Sequence, residues 1–252
     1  MTDARTAIVT GAAQGLGLAI ANGLAASGHH CILLDRSDSV HAVAQGLSSP
    51  LGTAEGHAVD VTDYPAVAAL VASVIAEHGR IDVLVNNAGI NPKNPSGGIF
   101  ELLEIPLEGW RHVVDVNLNS VFHLCVQVLP HMQRRNWGRI INISSRTGRT
   151  YTGTAAAHYA ATKAGVIGLT RQIAGEMGRH GITANCIAPG PITSPMSTAD
   201  GGQGIARTAS RGPLGRVGAP EEIGATAQFL ASDGAAYITG AIIDLNGGTF
   251  MP

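Results

Sequence analysis

Apolar residues come in short runs along this chain, separated by longer stretches in which apolar and polar positions alternate with helical spacing. The runs at 6–10, 30–35, 81–86, 139–144 and 183–188 have the length and continuous apolarity of strands buried on both faces. Weaker runs at 56–60 and 241–245 complete the set. Between them the pattern predicts helices over 16–27, 39–46, 64–78, 107–135, 156–179 and 220–232. Strand and helix alternate throughout, so the expectation is an α/β fold with a parallel sheet covered by helices on both faces. The rhythm breaks at 194–218, where Gly201, Gly202 and Gly204 punctuate a segment that reads as a mobile lid.

Composition narrows the picture. A chain of 252 residues with 45% hydrophobic and 13% charged positions can bury a large core, and no Pro- or Ser-rich linker divides 1–252 into two domains. A net charge of −2 argues against a nucleic-acid partner. Cys31, Cys125 and Cys186 lie far apart in apolar patterns and read as reduced buried thiols, which predicts a cytoplasmic protein without disulfides. Residues 7–34 lack Asp, Glu, Lys and Arg, but their glycines, Gln14, Asn22 and the pair His29-His30 argue against a membrane span. None of the ten histidines shows helix-face spacing with a carboxylate or cysteine partner, so no metal site is expected.

Two local patterns carry chemistry. After the first strand, Thr10-Gly11-Ala12-Ala13-Gln14-Gly15-Leu16-Gly17 leads into a helix, the strand–glycine–helix arrangement that cradles a pyrophosphate. The second strand ends in Asp35, placed to accept hydrogen bonds from the adenosine ribose of NAD and to repel the 2′-phosphate of NADP. Arg36 beside it is the counterweight, since a guanidinium there can pair with that phosphate or stack on adenine. The second pattern is Tyr159-Ala160-Ala161-Thr162-Lys163, with a phenol and an ammonium at i and i+4 on one helix face. Bringing a phenol from a pKa of about 10 to neutrality needs about 4 kcal/mol, and a cation at about 4 Å can supply that at an effective dielectric of about 20.

With these residues in view, the chain resembles the short-chain dehydrogenase/reductase family from Thr10 to Gly248. Further matches are Asp60-Val61, Asn86-Asn87-Ala88-Gly89, Asn117, Ser145, Pro189-Gly190, Tyr237-Ile238-Thr239-Gly240 and Asn246-Gly247-Gly248, all in family order. The resemblance implies a Rossmann-type doubly wound sheet of seven strands ordered 3-2-1-4-5-6-7. It implies that Gly11, Gln14, Gly15, Leu16, Gly17, Asp35, Arg36, Asp60, Val61, Asn87, Ala88 and Gly89 bind the cofactor. Tyr159, Lys163, Pro189, Gly190, Ile192 and Ser194, with Thr193 as an alternative hydroxyl, complete that set.

The implied chemistry is hydride transfer between nicotinamide and a secondary alcohol or ketone, with Tyr159 exchanging the substrate proton. Lys163 would lower the Tyr159 pKa and bind the nicotinamide ribose, Ser145 would hold the substrate oxygen, and Asn117 would hold a water on a proton path. The Ser-to-Tyr spacing is a residue longer than the family's, and adjacent Ser144 competes for the role of Ser145. Arg146, Arg149 and Lys93 are candidates to recognise a polar group on the substrate. His158, next to Tyr159, points elsewhere on the helix and reads as structural.

The leading expectation is an NAD-dependent oxidoreductase acting on a small polar hydroxy compound. The alternatives are an NADPH-dependent 3-oxoacyl-carrier-protein reductase and a non-catalytic dinucleotide sensor. The family commonly forms tetramers, and Val113-Val114, Val121-Phe122, Val166-Ile167 and the uncharged stretch from Ala235 are compatible with a homotetramer.

Overall fold

The computed structural model describes residues 4–47, 52–198 and 201–252. Its centre is a parallel sheet of seven strands in the order β3-β2-β1-β4-β5-β6-β7. The strands are β1 (Thr6–Thr10), β2 (His30–Asp35), β3 (Thr53–Ala58), β4 (Val83–Asn86), β5 (Gly138–Ile143), β6 (Ile182–Pro189) and β7 (Ile242–Leu245). Every residue of β1, β4, β5 and β6 is buried, which explains why these runs are continuously apolar and do not alternate.

Helices cover both faces. On one side α1 (Gly15–Ala26), α2 (Ser39–Leu47) and α8 (Pro220–Ala231) bury Ile20, Leu24, Val40, Ile223 and Ala227 against Ala7, Val9 and Leu33. On the other, α3 (Tyr64–His78), α5 (Ser120–Arg135) and α6 (Ala157–Met177) bury Val67, Val74, Leu124, Val128 and Val166 against Ile8, Ile32 and Leu34. Successive β1 residues thus serve opposite layers, each fully buried large side chain contributing about 1.5–3 kcal/mol. Helix ends follow local chemistry: Asp63 caps α3 by accepting from the Ala66 amide at 3.0 Å, and Gly79 closes it with φ of 70°.

A short helix, α4 (Leu107–Val114), continues through a π turn (Asp115–Asn119) into α5. Leu107–Arg135 is long and apolar enough, by length and composition, to cross a membrane. Its Val113, Leu124, Val128 and Met132 side chains are buried in the protein. The uncharged segment at 7–34 folds as β1, α1 and β2.

Strand β3 lies earlier than the apolar pattern indicates, at Thr53–Ala58 instead of 56–60. It is an edge strand with half its surface open, so ladder pairing with β2, His30 to Thr53 through Asp35 to Ala58, sets its position. The segment 194–218 is not a plain loop either, since it contains α7 (Gln203–Ala209). Its base is pinned: Gly218 donates to Pro191 O at 2.9 Å and Thr193 donates to Gly218 O at 3.0 Å.

Gly17 on α1 allows the closest helix-to-loop contact, because a Cβ there would lie 2.1 Å from Gly11 O. Gly17→Ala is therefore expected to cost about 3 kcal/mol in urea unfolding, through forced displacement of the loop. Gly46→Ala in α2, where a Cβ meets nothing within 4 Å, should leave stability unchanged or raise it. Equal stability of the two variants would refute this reading of α1.

Candidate active site

A cleft of about 1100 Å³ opens across the carboxyl ends of the strands, the position at which open α/β sheets hold ligands. At one end lie Gly11, Gln14, Gly15 and Leu16. Gly11 and Gly15 take φ of 63° and 57°, which favours glycine. Gln14 makes no side-chain cap, and the first turn of α1 holds no acidic residue. The first amides of α1 are thus free of an internal anion and suited to phosphate. Gly17 does not line the cleft; it packs against Gly11, so its place in the cofactor set is corrected to a structural one.

The Asp35 carboxylate accepts from the Ala13 amide at 3.1 Å and the Ser37 amide at 3.0 Å, which holds it at the cleft wall beside Arg36. Asp60 and Val61 line the same end. Burial pushes the Asp60 carboxyl up, but hydrogen bonds from Thr62 and the nearby Arg36 and His112 charges outweigh it and leave it below its ordinary value. Asn87, Ala88 and Gly89 follow β4. The Asn87 amide nitrogen donates to Thr10 O at 2.9 Å and Gly11 O at 3.0 Å, tying this turn to the glycine loop. Thr10 was not singled out by sequence, yet its hydroxyl accepts from the Asn87 and Ala88 amides, each at 3.0 Å.

At the other end Ser145, Tyr159 and Lys163 share the cleft wall. The two serines separate cleanly: Ser144 is buried and donates to Lys163 O at 2.8 Å, whereas Ser145 lines the cleft, holds down the Tyr159 pKa and accepts from the Thr147 amide at 3.1 Å. In the loop that follows, Thr147 and Thr152 hydroxyls meet at 3.1 Å and Gly153 takes φ of 63°. Burial raises the Tyr159 phenol above its ordinary value despite Ser145. Burial also lowers the Lys163 ammonium, to about 8.

The expectation that Lys163 depresses Tyr159 is corrected for the free protein. Lys163 Nζ is 5.7 Å from the phenol ring centre and donates to Ile143 O at 2.7 Å, so burial outweighs its charge. Asn117 sits in the π turn, fully buried, and does not reach the cleft. Its Oδ1 accepts from Ile90 N at 2.8 Å and its Nδ2 donates to Ile90 O at 2.9 Å and Thr162 Oγ1 at 3.3 Å. Its amide is engaged with protein partners and fixes the turn after β4 beside Lys163. A π turn interrupting a helix at this point is a common device at functional sites.

Pro189, Gly190, Ile192 and Ser194 line the cleft, and Thr193 does not; its backbone joins Gly218. Ser194 exchanges hydrogen bonds with Ser197. Arg146 and Lys93 reach the cleft, but Arg149 does not. Arg149 pairs with Asp244 at 3.2 Å and stacks over Phe250 at 5.3 Å, and is withdrawn as a substrate residue. Sequence reading missed Arg207 and Arg211, which line the cleft. The available signal was two arginines in one segment that was read as loop. His158 is buried against Phe100, away from the cleft. His30, Glu55 and His78, which share no helix-face spacing in the sequence, converge well away from this site.

A family model described as Enoyl-(Acyl carrier protein) reductase matches residues 11–249. The chain belongs to the short-chain dehydrogenase/reductase family. It is thus an oxidoreductase with a Rossmann-type fold. It is 40% identical over 250 residues to a 3-oxoacyl-[acyl-carrier-protein] reductase of Vibrio cholerae, covering 99% of this chain and 98% of that one. Among solved structures, a 3-oxoacyl-[acyl-carrier protein] reductase with bound NAD from Brucella melitensis superposes with a TM-score of 0.89 at 36% identity, over 98% of this chain and 92% of that one. A putative NAD(P)-dependent gluconate 5-dehydrogenase from Beutenbergia cavernae, with bound NADP at low occupancy, gives a TM-score of 0.89 at 36% identity, over 97% of this chain and 96% of that one. Membership in an enzyme family, with Ser145, Tyr159 and Lys163 assembled in one cleft, displaces the sensor alternative.

Proposed function

We propose that this protein is an NADH-dependent reductase of 3-oxoacyl thioesters. The observation that carries the substrate class is its full-length similarity to 3-oxoacyl-[acyl-carrier-protein] reductases. That similarity moves the alternative, an NADPH-dependent 3-oxoacyl-carrier-protein reductase, ahead of the NAD-dependent reading of a small hydroxy compound expected from sequence. Cationic Lys93, Arg146, Arg207 and Arg211 along the cleft suit the anionic thioester carriers on which such acyl groups travel. Asp35 supports NADH over NADPH, since its fixed carboxylate stands where a 2′-phosphate would bring like charge.

When bound, the dinucleotide supplies hydride to the ketone carbon. Ser145 Oγ holds the ketone oxygen, and Tyr159 Oη delivers the proton to it as charge develops. A phenol kept protonated by burial is ready for that direction. Lys163, anchored to Ile143 O, faces the cleft where the nicotinamide ribose would lie, and Asn117 positions the adjoining turn.

A second reading is favoured by the gluconate 5-dehydrogenase likeness: the same cations would hold a sugar-acid carboxylate. A kinetic grid of NADH and NADPH against a 3-oxoacyl thioester and a keto-sugar acid separates the two. Higher kcat/KM for the thioester with NADH is the expected result, and preference for the sugar acid would reverse the assignment. Asp35→Ala should shift the NADPH-to-NADH ratio of kcat/KM upward by about tenfold or more. An unchanged ratio would remove Asp35 as the selector.

We further propose a homotetramer in a reducing cytoplasm. Val113, Val121, Val166 and Ile167 are buried in the protein's own core and cannot form the interface expected of them. Exposed Phe122 and Val126, one turn apart on α5, supply an apolar face in their place. The three thiols are free and buried.

A further inference from the structure

On the face of the sheet covered by α3, three imidazoles surround one carboxylate at the edge remote from the cleft. Parallel pairing sets His30 opposite Thr53 and Ile32 opposite Glu55, so Thr53, Glu55 and His57 share a face with His30. His78, the last residue of α3, closes over them. His30 Nε2 lies 2.9 Å and His78 Nε2 3.4 Å from Glu55 Oε1, and His57 Nε2 lies 3.7 Å from Oε2.

His30 and His78 thus share one carboxylate oxygen, and His57 takes the other. The Nε2 atoms of His30, His57 and His78 are shielded from solvent and face the Glu55 carboxylate, with no well-aligned hydrogen bond among the described residues. Leaving buried polar nitrogens unmatched is costly, and three around one carboxylate need an explanation. A tetrahedral zinc ion, with bonds of about 2.0–2.2 Å to nitrogen and oxygen, holds its ligands about 3.3–3.5 Å apart.

The ligand atoms of His30, Glu55 and His78 all fall within 4.8 Å of one another. His30 Nδ1 is 2.5 Å from Thr53 Oγ1, the outer hydrogen bond that orients a ligating imidazole. The carboxylate and the negative end of α3 both favour a cation here.

We propose that His30, Glu55 and His78 form a binding site for a divalent transition-metal ion of the zinc type, with His57 flanking it and water in the remaining position. The set of two imidazoles and one carboxylate suits zinc and excludes the all-oxygen preference of magnesium or calcium. The ion would tie β2, the edge strand β3 and the end of α3 together. It would act on stability, since the redox cleft lies at the opposite ends of these strands.

The test uses untagged full-length protein, treated with chelator and desalted, then titrated with Zn2+ by calorimetry and with Co2+ by visible absorption. Expected are one equivalent of Zn2+ per chain, a tetrahedral Co2+ spectrum, and a higher Tm with zinc. Glu55→Gln and His78→Ala should each weaken binding by at least about tenfold, and His41→Ala, on exposed α2, should not. Absence of saturable Zn2+ binding by the parent protein overturns the proposal without reliance on any variant. One-equivalent binding that survives unchanged in both Glu55→Gln and His78→Ala also overturns it, by placing the ion elsewhere.

Discussion

Tyr159→Phe is expected to lower kcat for carbonyl reduction by about 1000-fold while leaving the cofactor dissociation constant within a few-fold. The phenol shares the cleft wall with Ser145, the hydroxyl proposed to hold the substrate oxygen. Removing a single oxygen leaves the ring in place, so packing and cofactor contacts persist and the loss falls on proton delivery. Burial keeps this phenol above its ordinary pKa. The reductive rate of the parent should therefore hold on the alkaline side of neutrality until that proton is lost. Steady-state and single-turnover kinetics at saturating cofactor provide the measurement, and a Phe variant within tenfold of the parent kcat would end the assignment.

Alkaline unfolding should be steep. Burial pushes Cys31 and Cys125 up from an ordinary 9.0 to about 12 and Cys186 to about 11. A thiol whose folded pKa is raised contributes stability that is complete below the unfolded value and disappears as pH climbs through the folded one. The relevant window runs from pH 9 towards 12. Lys163 works in the opposite sense: its pKa falls from 10.5 to about 8, so it adds stability as pH rises between those values.

Three thiol protons against one lysine proton leave a net loss of about 3 kcal/mol per pH unit around pH 10, and the Tyr64 and Tyr159 phenols, also raised, add to it from pH 10 upward. Urea titrations at about pH 8, 9.5 and 10.5 should record that fall. Cys125→Ala should flatten the slope by about 1.4 kcal/mol per unit, whatever its own packing cost. A parent protein equally stable at all three pH values would contradict the burial assigned to these sulfurs.

Much of the architecture was legible because central parallel strands are buried on both faces and so announce themselves as apolar runs; β1, β2, β5 and β6 fall within a residue or two of their sequence positions. Edge strand β3 was misplaced and helix α7 missed for the same reason in reverse. Their surfaces are partly open, and the first is set by pairing with β2. The sites divide similarly. Gly11, Gly15, Asp35, Ser145, Tyr159 and Lys163 were readable because each sits at a strand end or within one helix turn of its partner.

Local sequence by itself determined the strand–helix alternation, the glycine loop, and the phenol–amine pair on one helix face, since all three depend on contacts a few residues long. Tertiary structure alone decided which arginine faces the cleft, that Asn117 braces Ile90, and that burial outweighs charge at Tyr159. It alone brought His30, Glu55 and His78 together. Those outcomes depend on desolvation and on neighbours supplied by remote elements, and neither quantity exists until the sheet has closed and the helices have packed over it.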